Sequence, residues 1–336
     1  MIPQTILQEF KSRRVLVTGG SGLIGRQIVE LLAAAGAFVR SVSLDRITLT
    51  AEAEYIVGDL SDLSLCKDIA GDIDYVFHLA GVQGTVQTSA SKLASHFVPT
   101  LMMNTNMLEA ARVCGVEKLV YTSSIGAYAE SRVLRESDYK LESEPMSFAG
   151  WAKRMAELQI HSYKLQYGLE RFSIVRLSNV YGPGDNFDPE TAMVIPSLLY
   201  RIWKGENPLS VWGDGSAVRD FLYSRDAAEG IILALHYGTP DGFVNIGSGR
   251  GQSILNVLQS LQSFIDFNYV FDKTKPSGAP MRVMDITKAR STLGFTPSTD
   301  LTTGLNRTWE WLKAHSAEHN RKKNYFLAES DQSGAE

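Results

Sequence analysis

The chain has 336 residues, 44% hydrophobic and 21% charged, with a formal net charge of −4. It is long enough for one large or two modest domains, and its mild acidity argues against a nucleic-acid or anionic-membrane partner. Cys66 and Cys114 are its only cysteines, which excludes a disulfide framework; no apolar run reaches membrane-spanning length, and the N-terminus "MIPQTILQEFKSRR" has no signal-peptide pattern, so a cytoplasmic location is expected.

From Arg13 onward, "RRVLVTGGSGLIGRQIVELLAAAGAFVRSVSL" reads as strand, glycine turn, amphipathic helix and strand. Leu23, Ile24, Ile28, Leu31 and Leu32 share one helical face, and Gly36 stops the helix. Gly19, Gly22 and Gly25 stand between strand and helix. Gly19 permits the tight turn, Gly22 admits a pyrophosphate against the backbone, and Gly25 lets the helix pack closely on the strand. The helix N-terminus, with Leu23 and Ile24, then attracts the phosphates. A plain strand–helix turn is the bland alternative; the strand–helix–strand order favours dinucleotide binding.

The second strand ends in "VRSVSLDRI". Ser43 and Arg46 there suit the 2′-phosphate of NADP, whereas Asp45 suits NAD; the expectation is NAD(P)(H), tilted to NADP. "GDLSD" follows the third strand, placing Asp59 to reach adenine and Leu60 to offer backbone, with a helix N-cap as the alternative for Asp59. "DIDYVFHLAG" is the fourth strand. Its end, Leu79, Ala80 and Gly81, is small enough for a cofactor to lie across, and His78 reads as a core residue. "VEKLVYTSS" is the fifth, with Ser124 beyond its carboxyl end, where open α/β sheets bind ligands. "FAGWAKRMAELQ" is a helix carrying Lys153, and "RFSIVRLSNV" is a further strand.

After Val180, Pro and Gly become frequent and the strands shorten. The predicted class is α/β: a Rossmann-type doubly wound parallel sheet with a smaller, interleaved C-terminal substrate lobe. Residues 1–180, joined again by 220–248, form the dinucleotide-binding domain. Residues 181–219 and 249–315 form the substrate lobe, and 316–336 a polar tail. No residue cluster reads as a metal site.

The order glycine turn, "GDL", "HLAG", "TSS" and lysine helix resembles the extended short-chain dehydrogenase/reductases, the nucleotide-sugar epimerases and dehydratases. "NVYGPGDNF", "VIPSLL", "VWGDGSAVRDFLYSRDAA" and "APMRVMDITKARSTLGFTP" extend the likeness over nearly the whole chain. The motif texture is most similar to GDP-fucose synthases and their relatives. The resemblance implies a Ser/Thr–Tyr–Lys set in which the tyrosine moves the hydroxyl proton during hydride transfer. The lysine holds the nicotinamide ribose and lowers the tyrosine's pKa. Ser124 and Lys153 match, but the tyrosine position is Ala149, which is either an engineered loss or a native residue. Gly126 and Met193 stand where GDP-fucose synthases carry the cysteine and histidine of epimerisation. Tyr128, Tyr139, Tyr163 and Tyr200 are the tyrosines weighed as substitutes; Tyr139 alone lies in a loop able to fold inward.

The resemblance also implies that Asn179 faces the sugar or diphosphate, that Val194 and Ile195 offer backbone to the nucleotide, and that Arg219 and Arg282 clamp the diphosphate. It implies NAD(P)-dependent epimerisation or ketoreduction of a nucleotide-activated hexose at C4, in sugar-nucleotide and polysaccharide biosynthesis. Dehydration ranks lower, because Ile125 and Gly126 follow Ser124 in place of an acid pair. A catalytically silent nucleotide-sugar binder is the alternative. A homodimer is implied, through a four-helix bundle of residues 93–113 and 151–167 with Leu101, Met107, Leu108, Met155, Leu158 and Tyr163 as contacts.

Overall fold

The computed structural model describes residues 2–82, 91–188, 190–275 and 277–319. Its strands are β1 (Arg14–Thr18), β2 (Phe38–Ser43), β3 (Ala53–Val57), β4 (Tyr75–His78), β5 (Lys118–Ser124), β6 (Val133–Leu134) and β7 (Phe172–Leu177). There follow β8 (Asn179–Tyr181), β9 (Leu209–Trp212), β10 (Val218–Tyr223), β11 (Phe243–Ile246), β12 (Gly251–Ser253), β13 (Tyr269–Asp272) and β14 (Met281–Met284). Seven of them form one sheet in the order β11-β7-β5-β4-β1-β2-β3, every pair parallel. β4, β7 and β11 are buried along their whole length, as strands covered by helices on both faces must be. The strand order reverses between β1 and β4, where Thr18 lies beside His78. At such a point the connections leave in opposite directions, and a crevice opens at the carboxyl ends.

Two helices flank this crevice, Leu93–Val113 and Phe148–Tyr167. The second begins at Ser147, whose hydroxyl accepts from Gly150 N at 3.1 Å, and ends at Gly168 with φ 68°, an N-cap and a left-handed C-terminal stop. Met107, Leu108 and Tyr163 lie buried against the chain's own core. They are therefore not available to a dimer contact as the sequence had implied, because the sheet claims the apolar stripe of each helix. Val98, Met102 and Leu165 are among the exposed apolar residues on these helices.

A second core gathers Tyr181, Phe187, Leu198, Leu199, Val257, Leu258, Leu305 and Leu312. Beside it, β12-β10-β14-β6 form a smaller sheet in which β8 also pairs with β10. The helix Ser224–Tyr237 and β11 return to the first core. Two boundaries differ from the expectation. β6, from the N-terminal part, pairs with β14. Ala289, Leu293 and Phe295 join the first core, since their helix Thr287–Leu293 covers Ser224–Tyr237 and β11. The expected tail begins instead with a short helix, Ser316–His319. Glu318 in it pairs with the buried Arg26, whose guanidinium lies 5.0 Å from the Trp311 ring. Residues 320–336 lie outside the described residues.

One buried ion pair joins helix to sheet. Glu157 takes two parallel N–H bonds from Arg176 on β7, at 2.9 and 2.6 Å. Arg176 is 0% exposed, and its guanidinium lies 3.7 Å from the Phe243 ring and 4.3 Å from that of Tyr128. Removing one partner of a buried pair strands the other charge, at a cost of about 3–5 kcal/mol. Glu157→Ala is expected to lose that much stability, read from the midpoint of urea unfolding.

Candidate active site

The glycine turn follows β1 directly. Gly19 sits at φ +67°, and a Cβ there would lie 3.1 Å from the backbone of Ala80, so the turn is pressed against the end of β4. A Cβ on Gly25 would collide with Gly19 O; only glycine lets the helix Gly25–Ala34 start so close to the strand. At Gly22 a Cβ would meet nothing described except Gly19 O, at 3.1 Å. No side chain caps the helix start at Ile24, which leaves first-turn N–H groups for an anion. The turn thus fits a dinucleotide pyrophosphate: closed where it packs, bare where the phosphate approaches. Leu23 is buried and Ile24 half-buried, so each offers backbone more than side chain.

Ser43 ends β2 beside the glycine turn. Its hydroxyl accepts from Ser21 N at 3.0 Å and ties β2 to the turn. Arg46 is exposed. Asp59 is exposed and accepts from Ser61 N at 2.9 Å. The N-cap of the next helix is Asp62, which accepts from Ser64 N at 2.7 Å. Leu60 is a core residue whose carbonyl takes a bond from Asn106 Nδ2 at 3.2 Å. Asn106, unremarked in the sequence, also bonds Ser61 O at 2.8 Å and fixes this loop.

Lys153 is delivered from the other wall. Gly150, Lys153, Arg154 and Glu157 are spaced 0, 3, 4 and 7 along the helix, one face of it. A Cβ on Gly150 would collide with Gly126 O, so helix and β5 end touch backbone to backbone. Arg154, 0% exposed, donates to Ala127 O and to the carbonyls of Leu141 and Ser143. Lys153 Nζ then reaches under the β5 end, donates to Thr122 O at 2.9 Å and lies 5.1 Å from the Tyr121 ring centroid. A Cβ on Gly81 would stand 3.4 Å from that nitrogen. Burial pushes the Lys153 ammonium down to about 8, with Glu157 pulling the other way. Ser124 caps the short turn after β5, accepting from Gly126 N at 3.1 Å. The same Gly126 Cβ position is 3.6 Å from Ser124 Oγ and 3.8 Å from Ser147 Oγ. Ala149 is half-buried, one turn before Lys153.

Beneath them runs a buried polar chain. Thr18 Oγ1 accepts from the N–H of Leu79 and Ala80 at 3.1 and 3.2 Å. Its proton therefore points at His78 Nδ1, 2.8 Å away. His78 Nε2–H then donates to Asn104 Oδ1 at 3.0 Å, and Asn104 Nδ2 donates to Tyr121 OH at 2.9 Å. Burial, helped by the Lys153 charge, pushes the His78 imidazolium down to about 3. The ring stays neutral and structural, in line with a core histidine.

The weighed tyrosines are all engaged elsewhere. Tyr128 OH donates to Asn245 Oδ1 at 2.8 Å. Tyr139 does fold inward, but onto Phe243, Arg154 and Arg176. Tyr163 OH donates to Glu109 at 2.6 Å, and Tyr200 packs on Trp203.

Across the crevice, Arg219 and Arg282 are direct neighbours in the β10–β14 pair. Arg219 donates to the carbonyls of Val218 and Ala279 at 2.8 and 2.7 Å. Arg282 holds Glu130 by two bonds of 3.0 and 2.7 Å. Asp220 between them was missed. It is 0% exposed and accepts from Ser248 N, Ser248 Oγ, Gly249 N and Met284 N. Asn179 donates to Asp220 O at 3.1 Å. Ile195 is buried in the second core and Val194 is half-buried. Their helix starts at Met193 without a side-chain cap, so its first N–H groups are unclaimed by a cap.

A profile of the NAD dependent epimerase/dehydratase family matches residues 15–247. The chain is similar to the dTDP-4-dehydro-6-deoxy-D-allose reductase of Streptomyces bikiniensis, at 30% identity over 90% of this chain and 97% of that protein. It is likewise 30% identical to GDP-L-fucose synthase 1 of Arabidopsis thaliana, over 90% of this chain and 93% of the relative. Among solved structures, the UDP-glucose 4-epimerase of Thermotoga maritima with UDP-glucose superposes with a TM-score of 0.78, at 28% identity, covering 90% of this chain and 99% of that one. With the glycine turn, the switch-point crevice and the lysine helix in place, the match identifies the chain: it belongs to the NAD dependent epimerase/dehydratase family.

Proposed function

We propose that the chain is an NAD(P)-dependent epimerase or ketoreductase acting on a nucleotide-activated hexose, at C4. The observation that carries this reading is the Lys153 amine, held 2.9 Å from Thr122 O against the bare end of β4 and on the same strand end as Ser124. That is where a ribose and a reacting sugar carbon meet in a switch-point crevice. The relatives named above act on dTDP-, GDP- and UDP-sugars, which supports the substrate class.

In this reading Gly19, Gly22 and Gly25 hold the pyrophosphate, and Asp59 and Leu60 border the adenine. Leu79, Ala80 and Gly81 floor the nicotinamide half. The small Ser43 and the exposed Arg46 favour NADP. When bound, the cofactor supplies hydride acceptance and return. Ser124 bonds the reacting oxygen, and Lys153 orients the ribose. Arg219, Arg282, Asn179 and the uncapped N–H groups at Val194 and Ile195 hold the nucleotide diphosphate. Arg282 exchanges Glu130 for phosphate as it does so. Two copies pair through the helices Leu93–Val113 and Phe148–Tyr167, with Val98, Met102 and Leu165 covered.

Three outcomes test this. Gly22→Val places a side chain in the pyrophosphate path; overpacking of about 1–3 kcal/mol corresponds to roughly a 5- to 150-fold loss of NAD(P) affinity, measured by fluorescence titration of the folded variant. Unchanged affinity would refute the dinucleotide assignment. Arg282→Ala is expected to raise KM for the nucleotide sugar by roughly 10- to 150-fold, as loss of a charge-assisted bond worth about 1.5–3 kcal/mol does, with kcat little changed. Sedimentation equilibrium is expected to give twice the chain mass, and Met102→Glu to shift it towards one.

A further inference from the structure

We infer that Lys153 itself moves the proton in this site, taking at its amine the role that a phenol at position 149 would play. The inference rests on the redox reading above and deepens it.

The first support is positional. Ala149 and Lys153 are one helical turn apart on one face, about 6 Å along the axis. With alanine at 149, the position one turn before the lysine carries only a methyl group. Lys153 Nζ already lies at the β4 and β5 ends, against Gly81 and Thr122 O.

The second support is chemical. The reaction needs a group that gains and loses a proton near neutrality. Ser124 and Ser147 are alcohols and do not ionise in that range. Among the described residues near them, His78 has both ring nitrogens committed, to Thr18 and Asn104. Tyr121 OH accepts from Asn104 and is 0% exposed, with burial holding its pKa well above the usual phenol range. Tyr128 and Tyr139 are spent on Asn245 and on the Arg154–Arg176 cluster. Residues 83–90, "QGTVQTSA", follow β4 and contain no titratable side chain. Among the described residues, Lys153 is what remains.

The third support is its electrostatic setting. On its own helix the facing charge is Glu157, already doubly bonded to Arg176. From β5 it meets the Tyr121 ring, and from β4 the neutral His78. No described carboxylate lies within ion-pair distance of Nζ, so nothing pins the amine in its charged form. Burial lowers its pKa to about 8.

The step balances as follows. The sugar carbinol C–H bond breaks, and its electron pair passes as hydride to the oxidised nicotinamide, which is thereby reduced. The carbinol O–H bond breaks, and its proton passes to neutral Lys153 Nζ, directly or across one water, giving the ammonium and a ketone. Return of the hydride takes the proton back from the ammonium. Ser124 holds the oxygen throughout. A neutral amine accepts, so oxidation accelerates as pH rises through the lysine pKa.

The test reads the amine directly and then the chemistry. Trace labelling with acetic anhydride from pH 6 to 11, with peptide mass spectrometry, gives the Lys153 pKa in the whole protein without substrate. A value near 8 is expected; one at the ordinary ~10.4 overturns the inference. Lys153→Arg keeps the charge but cannot shed a proton. It is expected to lose about 10²–10⁴-fold in kcat at saturating NAD(P), with cofactor affinity titrated separately so that a ribose-binding loss is not read as a chemical one. Lys153→Met serves if the arginine does not fit. A variant that keeps kcat within about threefold, or a parent kcat flat from pH 6.5 to 9.5, overturns the inference. Absence of turnover by the parent on a broad nucleotide-sugar panel counts against the proposed function instead, and the labelling pKa then decides Lys153 alone.

Discussion

The contact of Gly150 with Gly126 is the constraint on which the rest of the site depends. Helix and strand end meet there with no side chain between them. Were Gly150 larger, its Cβ would meet Gly126 O, the helix would ride outward and Lys153 would miss Thr122 O. The following turns hold what that contact permits: Arg154 ties down the Ala127 and Ser143 carbonyls, and Glu157 locks onto Arg176. One helical face of four residues thus spends three on docking and presents the fourth to the crevice.

Desolvation has opposite uses within a few ångströms. At His78 it keeps the ring neutral, and the hydrogen-bonded run from Thr18 to Tyr121 satisfies each group so that the burial is tolerable. At Lys153 it leaves one bond to a carbonyl and no counter-charge in contact, which brings the amine within range of neutral pH. Arg176 shows the third outcome: burial with a bidentate partner, charge retained. The same physical cost gives a structural ring, a titratable amine and an anchor, according to what each group can bond.

The second lobe is registered to the first by Asp220. Its four donors come from the β11–β12 connection and from β14, so the strand bearing Arg219 cannot slip relative to the strand bearing Arg282. Two arginines side by side repel, and Glu130 relieves that repulsion at Arg282.

The sequence alone was enough for the alternation of strand and helix, the parallel sheet and the glycine turn, because these rest on local periodicity and on residues whose backbone demands are their own. Ser124, Lys153 and Ala149 were marked as site positions by the family resemblance, and the structure places Ser124 at the β5 end with Lys153 Nζ on Thr122 O beside it. Partner choice was not legible. Ser43 was read beside a ribose, with no sign of its bond to Ser21; Asp59 was read as reaching adenine with a cap as the alternative, and the cap is Asp62; Met107, Leu108 and Tyr163 were offered to a second copy and face the core. Asn106, Asp220 and Glu130 gave no local signal, since each acts on residues far away in the chain. Hydrogen bonds and burial are settled by which surfaces meet. That depends on β6 crossing to β14 and on a helix resting on a bare glycine, so only the tertiary structure decided that Lys153 would be half-buried, bonded to a strand-end carbonyl and out of reach of any described carboxylate.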